Sequence, residues 1–563
     1  MDRSRTSLAE RLYPYRYGLK IVPILFLGIF FFYPLLTILA VSFAPNNTLE
    51  LSGFIDIFTS SYYRNTLIFT LWQALLSTTL TLLLALPGSY VFARYDFPGK
   101  RILLSLSVLP FVLPTIVVAA AFTTLIGPQG VINSIIAQIW GNENAPVIQL
   151  QHTLAIILIA HIFYNYPLAL RMISSYWGNQ SLRAEEAAQL LGAHGWRLWM
   201  QIRLPMLRPI LLATAALVFM FTFTSFGVIL ILGGPRFATI EVEIYRQATS
   251  IFNLPVAAAL SVIQIGGMGI MLVYYTRLQN RIATTSLSST RQVARPPQQL
   301  SSKIFVFANI ALMMCLLFVP LIALATKSFS GNAGFTVDYY RHLTENSRDS
   351  ILFVPPIKAI SNSLLFAGAT TILAVVLGLI ATTLLASRTR ISRWLDPIFM
   401  LPLATSAVTL GFGFIVALDE PPLNLRTSPV LIPLAHTLVA MPFVIRSVLP
   451  AIKQIPKETQ EAALGLGASP WRVWVLIDFP LIKRGLIVGA IFAFTVSMGE
   501  FGATVFVARP DTPTIPVVIY RLLGQPGVTN YGQALAMSVI LVLVCGVSFV
   551  VIERLGTAGT SEF

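Results

Sequence analysis

Charge and cysteine are what this sequence has least of. Only 11% of its 563 residues are charged and 56% are hydrophobic, whereas soluble domains carry roughly 25% charged residues. With a mean hydropathy of +0.76, that balance argues against a soluble enzyme and for an integral membrane protein. The two cysteines, Cys315 and Cys545, both lie in apolar segments, which excludes a disulfide framework or a multi-cysteine metal site. Five histidines scattered over separate segments offer no zinc cluster and no Ser/His/Asp constellation, so no metal site and no catalytic residues are expected. No G-x-x-x-x-G-K-[ST] loop is present; the nearest stretch, Pro98-Gly99-Lys100-Arg101, lacks the first glycine and the hydroxyl residue. Any ATP hydrolysis must therefore come from another subunit, and no cofactor is expected in this chain. The net charge of +15 does not imply nucleic-acid binding, because the basic residues sit in short loops between apolar runs.

What the sequence does have is long apolar runs. A hydrocarbon core of about 30 Å needs about 20 apolar residues per helix, and twelve spans are expected, near Ile21–Phe43, Thr66–Phe92, Ile102–Ile126, Thr153–Met172, Ile210–Leu232, Val256–Thr276, Ile304–Thr326, Ser363–Leu385, Leu395–Leu418, Pro429–Val444, Leu486–Phe506 and Ala534–Ile552. The first is too long for a signal-peptide core and lacks a small-residue cleavage site, so it is read as a permanent helix. Twelve spans put both termini on one side. That side holds 28 Lys/Arg against 10 on the other, with 11 and 12 Asp/Glu. The excess of basic residues marks it as cytoplasmic in a multi-pass cytoplasmic (inner) membrane protein.

The chain is also a tandem repeat. Residues 277–303, RLQNRIATTSLSSTRQVARPPQQLSSK, form a polar stretch without apolar period, as expected of a flexible cytoplasmic linker. It separates a first six-helix domain, 1–276, from a second, 304–563. A shift of 275 positions superposes Glu186-Ala187-Ala188 on Glu461-Ala462-Ala463, Gly192 on Gly467, Trp196-Arg197 on Trp471-Arg472, Trp199 on Trp474 and Pro205 on Pro480. Eleven of these twenty positions are identical. The same shift pairs His161 with His436, Pro167 with Pro442, Arg171 with Arg446, Phe226-Gly227 with Phe501-Gly502 and Tyr245-Arg246 with Tyr520-Arg521. Each half has an even number of spans, so the repeats are parallel rather than inverted. The fold class expected is all-α integral membrane: two parallel six-helix bundles with a pathway between them.

The matches concentrate in two cytoplasmic loops, 183–209 and 456–485. Each has a short Glu/Ala helix, a glycine that can end it, a Trp-Arg-x-Trp segment and a proline leading into the next span. Small side chains beside one carboxylate suit docking into a groove on a partner protein. In these residues the sequence resembles the permease subunits of binding-protein-dependent ABC importers of type I, the MetI-like fold, whose signature is E-A-A-x(3)-G. Glu186-Ala187-Ala188-x-x-x-Gly192 and Glu461-Ala462-Ala463-x-x-x-Gly467 both fit it. The resemblance implies that each loop seats in one of two cytoplasmic ATPase subunits, which bind ATP and magnesium. It also implies that an extracytoplasmic solute-binding protein delivers the solute. A duplicated secondary transporter driven by an ion gradient is the competing class, and it leaves the two loops unexplained.

The fused layout resembles the thiamine and ferric-iron uptake branch. Phe97-Pro98-Gly99, residues 160–167 (AHIFYNYP), Ser225-Phe226-Gly227, Gly233-Gly234, Thr239-Ile240-Glu241 and Ile244-Tyr245 resemble the thiamine permease more closely. Gly499-Glu500-Phe501-Gly502-Ala503-Thr504 also resembles molybdate and sulfate permeases, which keeps those anions as an alternative. Candidate translocation-path residues are Glu500, its repeat mate Ser225, the pair His161 and His436, and Asn165. A carboxylate at a span's end either faces a cavity and favours a cationic solute, or is simply solvated. The histidines either line the path or hydrogen-bond a neighbouring helix. Pro114, Pro402 and Pro87-Gly88 can bend their spans, and the outer segments with Tyr245-Arg246 and Tyr520-Arg521 are candidate docking points for the binding protein.

Overall fold

The computed structural model of the chain describes residues 20–45, 48–140, 148–180, 183–285, 294–331, 334–345, 352–387, 390–419 and 423–556. Its first half contains α1 (Lys20–Phe43), α2 (Ser61–Arg94), α3 (Thr115–Ile126), α4 (Leu154–Gly178), α5 (Arg183–Leu190), α6 (Gly195–Phe223) and α7 (Leu254–Thr285). The second contains α8 (Leu300–Ser328), α9 (Pro356–Ala386), α10 (Arg390–Ala404), α11 (Ala407–Ala417), α12 (Leu431–Lys453), α13 (Lys457–Gly465), α14 (Phe479–Gly499) and α15 (Val528–Gly556).

Membrane helices pack through small and polar side chains and leave bulky apolar ones to the lipid, and α2 follows that rule along its length. Thr70, Gln73, Ala74, Ser77, Thr81 and Ala85 are buried in the protein, while Ile68, Leu71, Trp72, Leu75 and Leu83 are exposed. Its 34 residues make a rod of about 50 Å at 1.5 Å per residue, long enough to leave the hydrocarbon. Pro87 lies inside it without ending it.

Ten described helical stretches are long and apolar enough to cross a membrane, the third of them Thr115–Trp140, which begins with α3 and lies later in the chain than the expected Ile102–Ile126, or eleven if α10 and α11 form one span; α14 covers the remaining expected one. Four of the expected spans are interrupted, a correction to the continuous helices expected there. The third, Ile102–Ile126, is divided into Lys100–Ser107, Leu109–Val112 and α3, broken at Leu113–Pro114. Pro114 has no N–H to continue a helix and forces Leu113 into an extended conformation, ψ 143°. The ninth, Leu395–Leu418, breaks at Thr405–Ser406, and its two pieces are bent by 93°. There the Ser406 hydroxyl accepts from the N–H groups of Val408 and Thr409 and caps α11. The fifth and eleventh stop at Phe223 and Gly499. Short helices, Gly227–Leu232 and Thr504–Val507, follow each break.

The linker is also shorter than 277–303. α7 continues to Thr285, α8 begins at Leu300, and Arg295 forms a parallel bridge with Tyr95.

The repeat halves are halves of sequence rather than of packing. One compact unit comprises 1–53, 247–259 and 338–563, and the other 54–246 and 260–337. In the first, α1 packs on α11; in the second, α8 packs on α3. The leading helix of each half therefore completes the core built mainly from the other half. A Cβ at Gly413 on α11 would lie 3.0 Å from Cβ of Pro34 and 3.2 Å from Cδ1 of Ile38, so a side chain there presses on both residues of α1. Gly413→Val is expected to cost about 1–3 kcal/mol by overpacking, read as a lower midpoint of thermal unfolding in detergent, whereas Gly368→Val, where no atom stands within 4 Å, leaves the midpoint in place.

Candidate coupling loops and buried histidine sites

The two Glu-Ala-Ala loops adopt the same backbone. In the first, α5 ends at Gly192, whose φ is +86°. The Gly192 N–H donates to the Gln189 carbonyl at 3.0 Å and the Ala193 N–H to the Ala188 carbonyl at 2.9 Å. In the second, α13 ends at Gly467, φ +84°, with Gly467 donating to Leu464 and Ala468 to Ala463, both at 3.0 Å. This paired bonding past a left-handed residue is the Schellman turn, which disfavours any side chain at the turning position. Glu186, Ala187, Glu461 and Ala462 are exposed, Ala188 is buried against the bundle and Ala463 is half-buried. Beside them stand apolar side chains with almost no cover: Leu190 is 90% exposed, Leu191 89% and Leu466 90%, with Trp196 and Trp471 also exposed. Each turn thus exposes a carboxylate, a small residue and bare apolar side chains.

The residue before the first motif was not singled out from sequence, yet it is the most tightly held in either loop. Glu185 is buried; Oε1 accepts from Arg94 Nη2 at 2.6 Å and Oε2 from Arg203 Nε at 3.0 Å. The Arg203 guanidinium also lies over the rings of Tyr90 and Trp199, 5.3 and 5.5 Å from their centroids. At the repeat positions the second loop has Gln460 and Asp478, and the Gln460 amide donates to Asp478 Oδ1 at 2.7 Å. The signal available in the sequence was this departure from the repeat, not its identities.

The five candidate path residues gather into two clusters, each inside one compact unit and each buried. In the first, His161 Nδ1 lies 2.9 Å from Ser77 Oγ and Nε2 lies 2.9 Å from Ser225 Oγ. Asn165 donates to the His161 carbonyl at 2.9 Å. In the second, His436 Nδ1 lies 2.7 Å from Ser497 Oγ and Nε2 lies 2.7 Å from Thr504 Oγ1 and 3.3 Å from Glu500 Oε2. Both rings bridge α4 or α12 to the break after the following long helix. The Glu500 carboxylate accepts from the N–H groups of Ala503 and Thr504 at 2.8 and 2.9 Å and from the Thr504 hydroxyl. It caps the short helix that restarts the chain, and it is not the solvated group at an outer interface that its position also allowed. At the third span's break, Tyr164 donates to the Leu113 carbonyl at 2.7 Å.

The outer segments repeat too: Phe226 packs on Tyr245 and Phe501 on Tyr520, with ring centroids 5.5 and 5.4 Å apart. Only the first half adds buried carboxylates there. Glu241 accepts from Gln264, and Glu243 accepts from the Tyr62 hydroxyl at 2.7 Å. The repeat positions are Pro516 and Val518. Among the described residues no three His, Cys, Asp or Glu side chains are grouped to hold a metal ion.

The model of the binding-protein-dependent transport system inner membrane component matches twice, over residues 85–284 and 374–557. The chain belongs to that family. Both matches include one Glu-Ala-Ala turn and one buried histidine cluster, so the permease repeat and the internal repeat coincide. The thiamine transport system permease proteins of Escherichia coli and Brucella abortus are 27% and 28% identical to this permease, over 89% and 88% of it and 90% and 88% of their own lengths. A putative ferric transport system permease protein of Haemophilus influenzae is 25% identical over 86% of this permease and 77% of its own length. A multi-pass inner-membrane transport subunit is thus its class, consistent with the bilayer-spanning helices.

Because the Glu500 carboxylate satisfies two buried N–H groups, Glu500→Ala is expected to cost this permease about 1–3 kcal/mol, while Glu500→Gln, which keeps one acceptor oxygen, costs less. Thermal unfolding of the purified variants in detergent checks the order.

Proposed function

We propose that this permease forms the translocation path of an ATP-driven thiamine importer. The observation that carries the solute is the extent of the likeness: the thiamine permeases match along nearly their full length, through both halves and the fused layout. Ferric iron is the second reading, supported by the ferric relative. Molybdate, sulfate and gradient-driven transport stand behind these two readings.

Two ATPase subunits bind the ATP and magnesium and receive the two loops. The exposed Glu186-Ala187 and Glu461-Ala462, each in a turn with bare leucine and tryptophan side chains, support this, since such apolar surface on a cytoplasmic turn calls for a partner. An extracytoplasmic binding protein delivers the solute on the opposite side. Both termini lie in the cytoplasm, supported by the 28 to 10 distribution of basic residues. The buried clusters around His161 and His436 each hold the broken helices of their own unit, so that closure of the ATPases moves each unit as a body in the change between inward-open and outward-open states.

Gentle purification from the native membrane, with mass spectrometry of co-purifying proteins and released small molecules, is expected to recover an ATP-binding subunit and a binding protein carrying thiamine. Iron in its place selects the second reading, and a lone chain that transports under an ion gradient overturns both. In the reconstituted complex, Glu186→Lys with Glu461→Lys is expected to abolish binding-protein-stimulated ATP hydrolysis and uptake together.

A further inference from the structure

The repeat makes the two coupling loops alike in backbone and unlike in attachment. In the first, α5 is tied through Glu185 to Arg94, the last residue of α2, and to Arg203 in the first turns of α6. All three side chains are largely buried, at 10%, 5% and 15% exposure for Arg94, Glu185 and Arg203. A lone carboxylate between two buried cations holds its geometry strongly, because losing it leaves both charges unpaired. The anchor is itself braced. Tyr90, Trp177 and Trp199 form a wall of edge-on rings, 5.2 Å from Tyr90 to Trp177 and 5.6 Å from Trp177 to Trp199. The backbone on either side of Tyr95 is fixed by the end of the inter-half linker: Arg295 N–H donates to the Arg94 carbonyl at 3.2 Å, and Asp96 N–H donates to the Arg295 carbonyl at 3.0 Å.

In the second loop Gln460 donates to Asp478 in the segment that follows α13, its one side-chain bond among the described residues. Among the described residues no ion pair reaches α13.

We propose that the two coupling loops transmit unequally: Glu185 is a positioning residue that fastens the first loop rigidly to α2 and α6, while the second loop is compliant. The inference rests on the importer function proposed above. A push on α5 is delivered at once to the cytoplasmic ends of two long helices and to the docked linker. A push on α13 is delivered along the chain into α14.

The test has one readout that needs no partner. Gln189 and Leu464 are equivalent, exposed positions. In a Cys315→Ala, Cys545→Ala background, spin labels are placed singly at Gln189→Cys and Leu464→Cys of the full-length permease. The label at 189 is expected to be the less mobile; Glu185→Gln raises its mobility to that at 464, and Glu185→Asp, which keeps a carboxylate between the two cations, raises it less. Should Glu185→Gln fail to fold, Gln460→Glu with Asp478→Arg is expected to immobilise the label at 464 instead. Equal mobilities in the parent, or no response to Glu185→Gln, overturn the proposal.

In the complex reconstituted with ATPase and binding protein, Glu185→Gln is expected to lower solute moved per ATP by about fivefold at unchanged ATPase stoichiometry, and Gln460→Ala by less than about twofold. Equal losses overturn unequal transmission. A parent complex without ATP-dependent uptake counts against the importer function alone, since the label mobilities do not depend on it.

Discussion

A backbone N–H or C=O freed inside hydrocarbon has no water to turn to, so every break in a membrane helix needs a partner supplied by the protein. Four spans here are broken, and much of the polar chemistry in the interior answers those breaks. Tyr164 takes the Leu113 carbonyl, Ser406 takes two N–H groups of α11, and Glu500 takes those of Ala503 and Thr504. His161 and His436 then fix the hydroxyl side chains around the breaks that follow α6 and α14. Buried polar residues that look functional in sequence are, in this arrangement, what allows the helices to stop and restart.

The two halves solve the same problem with different atoms. At the equivalent position a serine hydroxyl meets His161 and a carboxylate stands near His436. The glutamate's second role, capping the short Thr504–Val507 helix, has no counterpart side chain at Ser225, whose hydroxyl is engaged by the histidine. The Glu-Ala-Ala turns keep their Schellman geometry in both halves because only glycine accepts φ near +85° cheaply. The residues fastening those turns are free to differ.

Much of this was legible in the sequence. Apolar length marked the helices, because only a span of that size buries its backbone across a bilayer; the 275-residue shift marked the two turns, because their glycines cannot be replaced. The breaks at Thr224–Phe226, Thr405–Ser406 and Glu500–Ala503 were not legible: a few polar residues inside an apolar run do not tell a stop from a buried polar contact, and of the four breaks only that at Leu113–Pro114 falls on a proline. Glu185 escaped for the opposite reason. It lies where the repeat fails, and a search for identities passes over it. The placement of α1 with the second half's helices depends on which surfaces meet, which no local pattern records.

That exchange of leading helices sets an order on biosynthesis. When α8 leaves the ribosome, its partners α2 and α3 are already in the membrane, so the unit built mainly from the first half can close while translation continues. α1 is made first but packs on α11, whose first residue, Ala407, lies more than 360 residues downstream of Phe43. At roughly 5–20 residues per second, that helix spends on the order of half a minute in the bilayer without the neighbour it will keep. A chain truncated within the second half would strand α1, leaving its packing face bare to lipid or to the quality-control machinery of the cell.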